Sequence, residues 1–171
     1  ARSLHRTCVD ARCSKGNALR ELRRLVEAVA SYDQAIALNP QIPEVWSNRG
    51  NALSDLHRHA EAVASFDRAL ALRPQFPDAW CNRGAALSEQ GLLDEALQSY
   101  GQALPLKTAY PEALNNRANT LREMGRLQDA VEAFEQALSA RPDYPDALSN
   151  LGVTLQEIGR QDEAIARYRQ A

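Results

Sequence analysis

Residues 43–76 read PEVWSNRGNALSDLHRHAEAVASFDRALALRPQF, and residues 77–110 continue PDAWCNRGAALSEQGLLDEALQSYGQALPLKTAY. Laid one over the other, the two stretches agree at tryptophan, asparagine, arginine and glycine near the start and at alanine and an aromatic further on. The agreement extends in both directions. Segments beginning at Val9, Pro43, Pro77, Pro111 and Pro145 follow one another every 34 residues with no insertion. A fixed period of this length marks an array of stacked small units rather than one closed core.

Numbering each segment from 1, position 8 is Gly16, Gly50, Gly84, Ala118 and Gly152. Position 20 is alanine throughout, position 24 is Tyr32, Phe66, Tyr100, Phe134 and Tyr168, and position 27 is again alanine. Small residues at 8 and 20 allow two helices to approach, and the aromatic at 24 fills the space beside them. Apolar positions recur at spacings of three and four, as amphipathic helices require. Gly91, Gly125 and Gly159 at position 15 supply a left-handed residue that ends the first helix. Proline at position 1 suits a first helical turn, and proline at 32 (Pro40, Pro74, Pro142) stops the second helix. Each unit is therefore expected to be helix A, a tight turn and helix B, giving an all-α array of ten main helices in five antiparallel pairs. The units run 9–42, 43–76, 77–110, 111–144 and a truncated 145–171, with residues 1–8 as the remnant of a preceding helix B. The third unit departs from the rest. Pro105 falls at position 29 and Thr108 replaces the usual stop, so helix B is expected to bend or loosen near Leu104.

These residues resemble the tetratricopeptide repeat: the 34-residue period, Trp46 and Trp80 at position 4, the glycines at 8, the alanine–aromatic–alanine pattern at 20, 24 and 27, and the prolines at 32. The resemblance covers nearly the whole chain. It implies a right-handed superhelical solenoid of helix pairs, with the A helices lining an inner, concave face.

Composition excludes several function classes. The formal charge is -2, which does not suit a phosphate-binding surface, so nucleic acid is not expected as a partner. No apolar run has the length of a membrane span, and Arg2, His5, Arg6 and Asp10 interrupt any signal-peptide core. The cysteines Cys8, Cys13 and Cys81 are odd in number and irregularly spaced, which reads as reduced thiols in a cytoplasmic setting. Cys8 and Cys13 lack two further zinc ligands at usable spacing, and His57 and His59 in one turn do not complete a metal site. There is no nucleophile–base–acid arrangement and no phosphate-binding loop, so neither an enzyme nor a cofactor is expected.

Function is then sought in polar columns that packing does not require. Position 6 carries Asn48, Asn82, Asn116 and Asn150, and position 9 adds Asn17, Asn51 and Asn119. Asparagine is a poor residue inside a helix, costing roughly 0.5 kcal/mol against alanine. With the acids at position 2 and those at position 13 (Glu21, Asp55, Glu89, Glu123, Glu157), these residues form one stripe along helix A. An asparagine amide both donates and accepts, so it can hold the backbone of an extended peptide whatever its side chains. The alternative is an inter-repeat hydrogen-bond ladder that sets the twist, and both can hold. The position-13 acids would flank the peptide and favour basic or uncharged partners, or pair with Arg24, Arg58, Arg126 and Arg160 three residues on. The acids at position 2 suit the helix dipole. Lys15, Arg49, Arg83 and Arg117 at position 7 read as long stems covering the seam between A helices with their heads in water.

The expected function is thus a protein-interaction module for an extended polypeptide. The clamp by which some tetratricopeptide domains grip chaperone tails matches only at Asn17 and Asn48, and all its cationic members are missing. The asparagine ladder is more similar to the superhelix preceding the catalytic domain of O-linked N-acetylglucosamine transferases. That resemblance implies, as the alternative, a substrate-recruiting region of a larger enzyme. The phase at which the array begins and ends leaves its last apolar face uncovered, so end-to-end self-association is expected.

Overall fold

The computed structural model describes residues 2–170, with side chains from residue 7 onward. Ala1 and Ala171, both placed in the repeat register above, lie outside the described residues, as does the side chain of Leu4. All regular structure among the described residues is helical: ten α-helices and one short 3₁₀ turn. They are α1 (Arg2–Glu21), α2 (Leu25–Leu38), α3 (Pro43–Asp55), α4 (His59–Leu72), α5 (Pro77–Ser88), α6 (Leu93–Ala103), α7 (Pro111–Glu123), α8 (Leu127–Ala140), α9 (Pro145–Glu157) and α10 (Gln161–Tyr168). From α3 onward every A helix opens on its proline, as the missing N–H of that residue permits.

The start of the chain departs from expectation. Residues 1–8 were expected to close a separate helix, but Arg2–Glu21 is one continuous helix with no break before Val9. Both punctuating prolines are absent there: Val9 stands at position 1 and Arg6 at the place of the stop. Asp10 consequently lies inside a helix, where the first-turn dipole argument for the position-2 acids does not apply to it.

The chain divides into two compact units, Ala1–Gln90 and Gly91–Ala171. In the first, α1 packs on α2, α3 on α4, and α2 and α4 in turn on the A helices that follow them. Its core contains Ala28, Tyr32, Leu53, Ala62, Phe66 and Ala79, all fully or almost fully buried. In the second unit, α7 packs on α8 and α9 on α10, around Leu121, Ala130, Phe134, Leu151 and Leu155.

The columns of small residues work as read. A Cβ placed on Gly16 would lie 2.5 Å from Tyr32 Cε1, and one on Gly50 would lie 2.6 Å from Phe66 Cε1. These helices pack at a distance that only hydrogen at position 8 permits opposite the aromatic ring. The turn between helices also repeats. The N–H of position 16 donates to the carbonyl of position 11, as in Arg58 to Leu53 at 2.9 Å and Arg126 to Leu121 at 2.9 Å. Such closure needs a left-handed residue at position 15. Gly91, Gly125 and Gly159 provide it, but Arg23 and His57 adopt the same conformation with φ of 59° and 58°.

Helix α6 ends at Ala103, three residues short of the B-helix pattern seen in α2, α4 and α8, and Leu104–Leu106 form a 3₁₀ turn. This is the loosening expected at Pro105, whose ring cannot follow an α-helical carbonyl four residues back. Ala109, in the connection that follows, takes a left-handed φ of 52°.

Candidate interaction face on the A helices

In the first unit the expected asparagines meet in pairs across adjacent A helices. Asn48 Nδ2 on α3 donates to Asn17 Oδ1 on α1 at 3.1 Å, and Asn82 Nδ2 on α5 donates to Asn51 Oδ1 on α3 at 2.8 Å. Position 6 of one segment thus bonds to position 9 of the one before it. Asn17 Oδ1 also accepts from the Tyr32 hydroxyl at 2.7 Å, which ties the rung to the buried aromatic. Burial pushes the Tyr32 phenol up to about 12, so it remains a donor at any ordinary pH. Asn48 further approaches Cys13 Sγ at 3.9 Å; burial raises that thiol, only partly opposed by the Asn48 bond.

Each amide in these pairs keeps capacity to spare. The Oδ1 atoms of Asn48 and Asn82 have no protein partner, and Asn82 Nδ2 has a second hydrogen, whereas that of Asn48 is turned to Cys13 Sγ. In the second unit the rung shifts. Asn150 Nδ2 on α9 approaches Asn115 Oδ1 on α7 at 3.4 Å, while Asn119 Oδ1 is buried without a partner. Asn115 stands at position 5, where the other segments have Cys13, Ser47, Cys81 and Ser149, and it is buried. Reading position 6 and position 9 alone missed it; its signal is the adjacent pair Asn115–Asn116. Asn116 lies on α7, half-buried.

The position-13 acids lie at the C-terminal ends of their helices, and the alternative of a pairing with the arginines three residues on is not realised. Arg24, Arg58, Arg126 and Arg160 instead bond forward to Glu27, Glu61, Asp129 and Glu163. An arginine that precedes helix B reaches the first turn of that helix, where an acid is already favoured. The Glu27, Glu61 and Glu163 carboxyls are held below the usual carboxylate range by these bonds. Asp55 is paired instead with Arg20 of α1 at 3.0 Å. Glu21, Glu89, Glu123 and Glu157 are exposed and make no ion pair among the described residues.

The position-7 column also differs from expectation. Arg49 Nε donates to Asp33 on α2 at 2.7 Å and its Nη1 to Ser65 Oγ at 2.7 Å; Arg83 Nε donates to Asp67 on α4 at 2.7 Å. These heads are bound, not solvated, and lace helix A to the preceding helix B. Asp33 and Asp67 occupy position 25, which the sequence reading left unused. The position-25 residue preceding Arg117 is Gly101, and Arg117 makes no such pair. The tryptophans at position 4 close the same seam: Trp46 Nε1 donates to the Pro40 carbonyl and Trp80 Nε1 to that of Pro74, both at 2.9 Å.

Among the described residues no group of three or more His, Cys, Asp or Glu could hold a metal ion, and no helix is long and apolar enough to cross a membrane.

Comparison with known proteins agrees with this architecture. Tetratricopeptide repeat models match residues 75–143 and 110–171, and a second TPR repeat model matches 16–56 and 55–91. No curated protein matches the chain. Similar solved structures include MamA from Desulfovibrio magneticus RS-1 (TM-score 0.86, 20% identity, 95% of this chain and 92% of that one). PilF of Pseudomonas aeruginosa is similar over 97% of this chain and 76% of its own (TM-score 0.87, 20% identity). YrrB, described as a TPR protein with an unusual peptide-binding site, is similar over 93% and 82% (TM-score 0.74, 24% identity). With a repeating helix pair, its glycine–aromatic contact and family models that together run from residue 16 to residue 171, the chain belongs to the tetratricopeptide repeat family.

Proposed function

We propose that this chain is a protein-interaction module that holds an extended polypeptide against its A helices through asparagine amides. The observation that carries the reading is the paired rung. Asn48 and Asn82 are both fixed by bonds to the neighbouring helix and are left with an unpartnered acceptor, Asn82 with a spare donor as well. A peptide backbone needs just such a donor–acceptor pair, and amides already held in place lose little freedom on binding. Neighbouring helices stand about 8–10 Å apart and an extended chain advances about 3.3 Å per residue. One rung per repeat therefore meets about every third residue of the ligand. The unpaired acids Glu89, Glu123 and Glu157 bias the partner towards basic sequences. The peptide-binding site of YrrB supports the reading in kind, not residue by residue.

The test separates the two duties of the ladder. A peptide is selected from a displayed random library on the parent chain, and its affinity is measured for a variant carrying N48A, N82A, N116A and N150A. Helicity is expected to be retained, since alanine is the better helix former. Stability should fall by about 0.5–1.5 kcal/mol for each rung bond lost. Peptide affinity should fall at least tenfold, on the order of two net hydrogen bonds. An equally tight complex with the folded variant would make the ladder purely structural.

A further inference from the structure

One feature of the first unit joins column residues to residues that no other segment repeats. A cleft of about 390 Å³ opens beside the α3–α4 turn, lined among others by Arg20, Ser54, Asp55, His59, Asn82 and Glu89. Two of the lining residues carry a polar atom, Ser54 Oγ and His59 Nδ1, that is buried and has no hydrogen-bond partner. A buried polar atom left unpaired is costly, so two beside one cleft need a reason. Folding does not supply it. At the position of His59 the other segments have Leu25, Leu93, Leu127 and Gln161, and leucine would fill the site without an orphaned nitrogen.

The free groups around the cleft are mostly acceptors. Asn82 spends a donor on Asn51 and keeps its Oδ1 open. Glu89 has no ion pair, and Asp55 gives only Oδ2 to Arg20 at 3.0 Å. A neutral imidazole protonated at Nε2 presents Nδ1 as a further acceptor. Two carboxylates against one guanidinium leave the cleft with an excess negative charge. What it lacks is a cationic, multiply donating group.

We propose that this cleft receives an arginine or lysine side chain of a bound polypeptide. The acids give the charge complement, and a small turn of the Ser54 and His59 side chains towards the head gives their buried atoms the partners that the free protein denies them. Three to five N–H donors on one small head can serve these acceptors at once. The proposal rests on the reading of the A-helix face as a peptide-binding surface, and it adds the chemical class of residue that anchors the peptide.

The test uses single capped amino acids, so that of the asparagine rungs only the one at Asn82, which lines the cleft, can be engaged. Nα-acetyl-arginine methylamide, its lysine counterpart and the uncharged norleucine counterpart are titrated into the whole chain. The His59 ring and the backbone amides of residues 54–59 and 82–89 are followed by NMR. The arginine or the lysine compound is expected to produce saturable shifts centred on these residues, and the norleucine compound none. Glu89→Gln and Asp55→Asn should each weaken the response about threefold or more, the range of a single partly exposed ion pair. Circular dichroism checks that both variants keep the parent fold. Equal shifts from norleucine, or a response unchanged in the folded E89Q/D55N double variant, would overturn the proposal. Asn48→Ala separates the two readings: it should leave the arginine response intact while weakening a selected peptide. A peptide that binds without any response to the capped cations sinks the cleft alone, and the reverse result sinks the asparagine track alone.

Discussion

Arg23 and His57 hold φ of 59° and 58° where three other turns of this chain use glycine. An L-residue in that region costs about 1 kcal/mol or more relative to glycine, because Cβ crowds the following carbonyl. The demand comes from the hydrogen bond that closes the turn, Arg24 N–H to the Leu19 carbonyl at 2.8 Å, not from the side chain that occupies the site. Arg23→Gly is therefore expected to stabilise the protein by about 0.5–1 kcal/mol, the strain relieved less the extra freedom glycine has when unfolded. Chemical denaturation of parent and variant measures it, and a loss of stability would mean the arginine side chain supports the turn in some further way. The glycines at position 15 make this conformation legible in the sequence. Arg23 and His57 become legible only once the repeat register is imposed on them. His59 was harder to read. The sequence reading put it in a turn, whereas it opens α4, and only the packed structure reveals that its Nδ1 is shut away without a partner.

Helix boundaries followed from local punctuation wherever proline or glycine supplied it, and failed where both were absent, at the run from Arg2 to Glu21. Pro105 shortened α6 for the same local reason. Electrostatic partners were less legible, because a helix face offers an arginine several acids within reach and the sequence ranks them only by spacing. Glu44 in the first turn of α3 is a case in point. Its partner is Arg73, just beyond the end of α4, and Glu112 of α7 pairs with Arg141 in the same relation. Partial burial pushes both carboxyls up, but the arginine and backbone hydrogen bonds outweigh it, and both lie below the usual carboxylate range. A carboxyl whose folded value is depressed contributes stability that is complete above its unfolded value and is lost as pH falls through the folded one. The thermal midpoint should accordingly decline on acidification below the ordinary glutamate range, with these two pairs contributing. Glu44→Gln, which cannot ionise, is expected to lower the midpoint at neutral pH and to flatten its acid limb. Parallel curves for variant and parent would show that the Arg73 pair adds nothing to folding.

Over the whole molecule the fold was legible because five segments repeat the same packing solution, so each column could be read several times over. The site was legible only in part for the same reason. Columns expose what recurs, such as the asparagines, and hide what one repeat does alone, such as the cleft lined by Ser54 and His59. Repetition also has a consequence for association. In an array each helix pair covers an apolar face of the pair before it. In α10 only Ala164 is buried, whereas α8 buries six residues, Ala130, Val131, Ala133, Phe134, Ala137 and Leu138. Ile165 is 47% exposed and Tyr168 42%, although the Tyr168 ring still lies over Gly152. Leu22, in the turn between α1 and α2, and Val26, in the first turn of α2, are each 68% exposed. Burying such side chains is worth roughly 25 cal/mol per Å² of apolar surface, so a contact of a few hundred Å² offsets part of the cost of association without reaching a tight dimer. Weak, concentration-dependent self-association of the 171-residue chain is the expected outcome. Sedimentation equilibrium across a hundredfold concentration range should give a mass that rises above 18.9 kDa at the upper end. Ile165→Glu, at an exposed position that keeps the Tyr168–Gly152 contact, should return the mass to that of one chain. A parent that stays monomeric throughout, or a variant that associates as the parent does, would remove the α10 face as the cause.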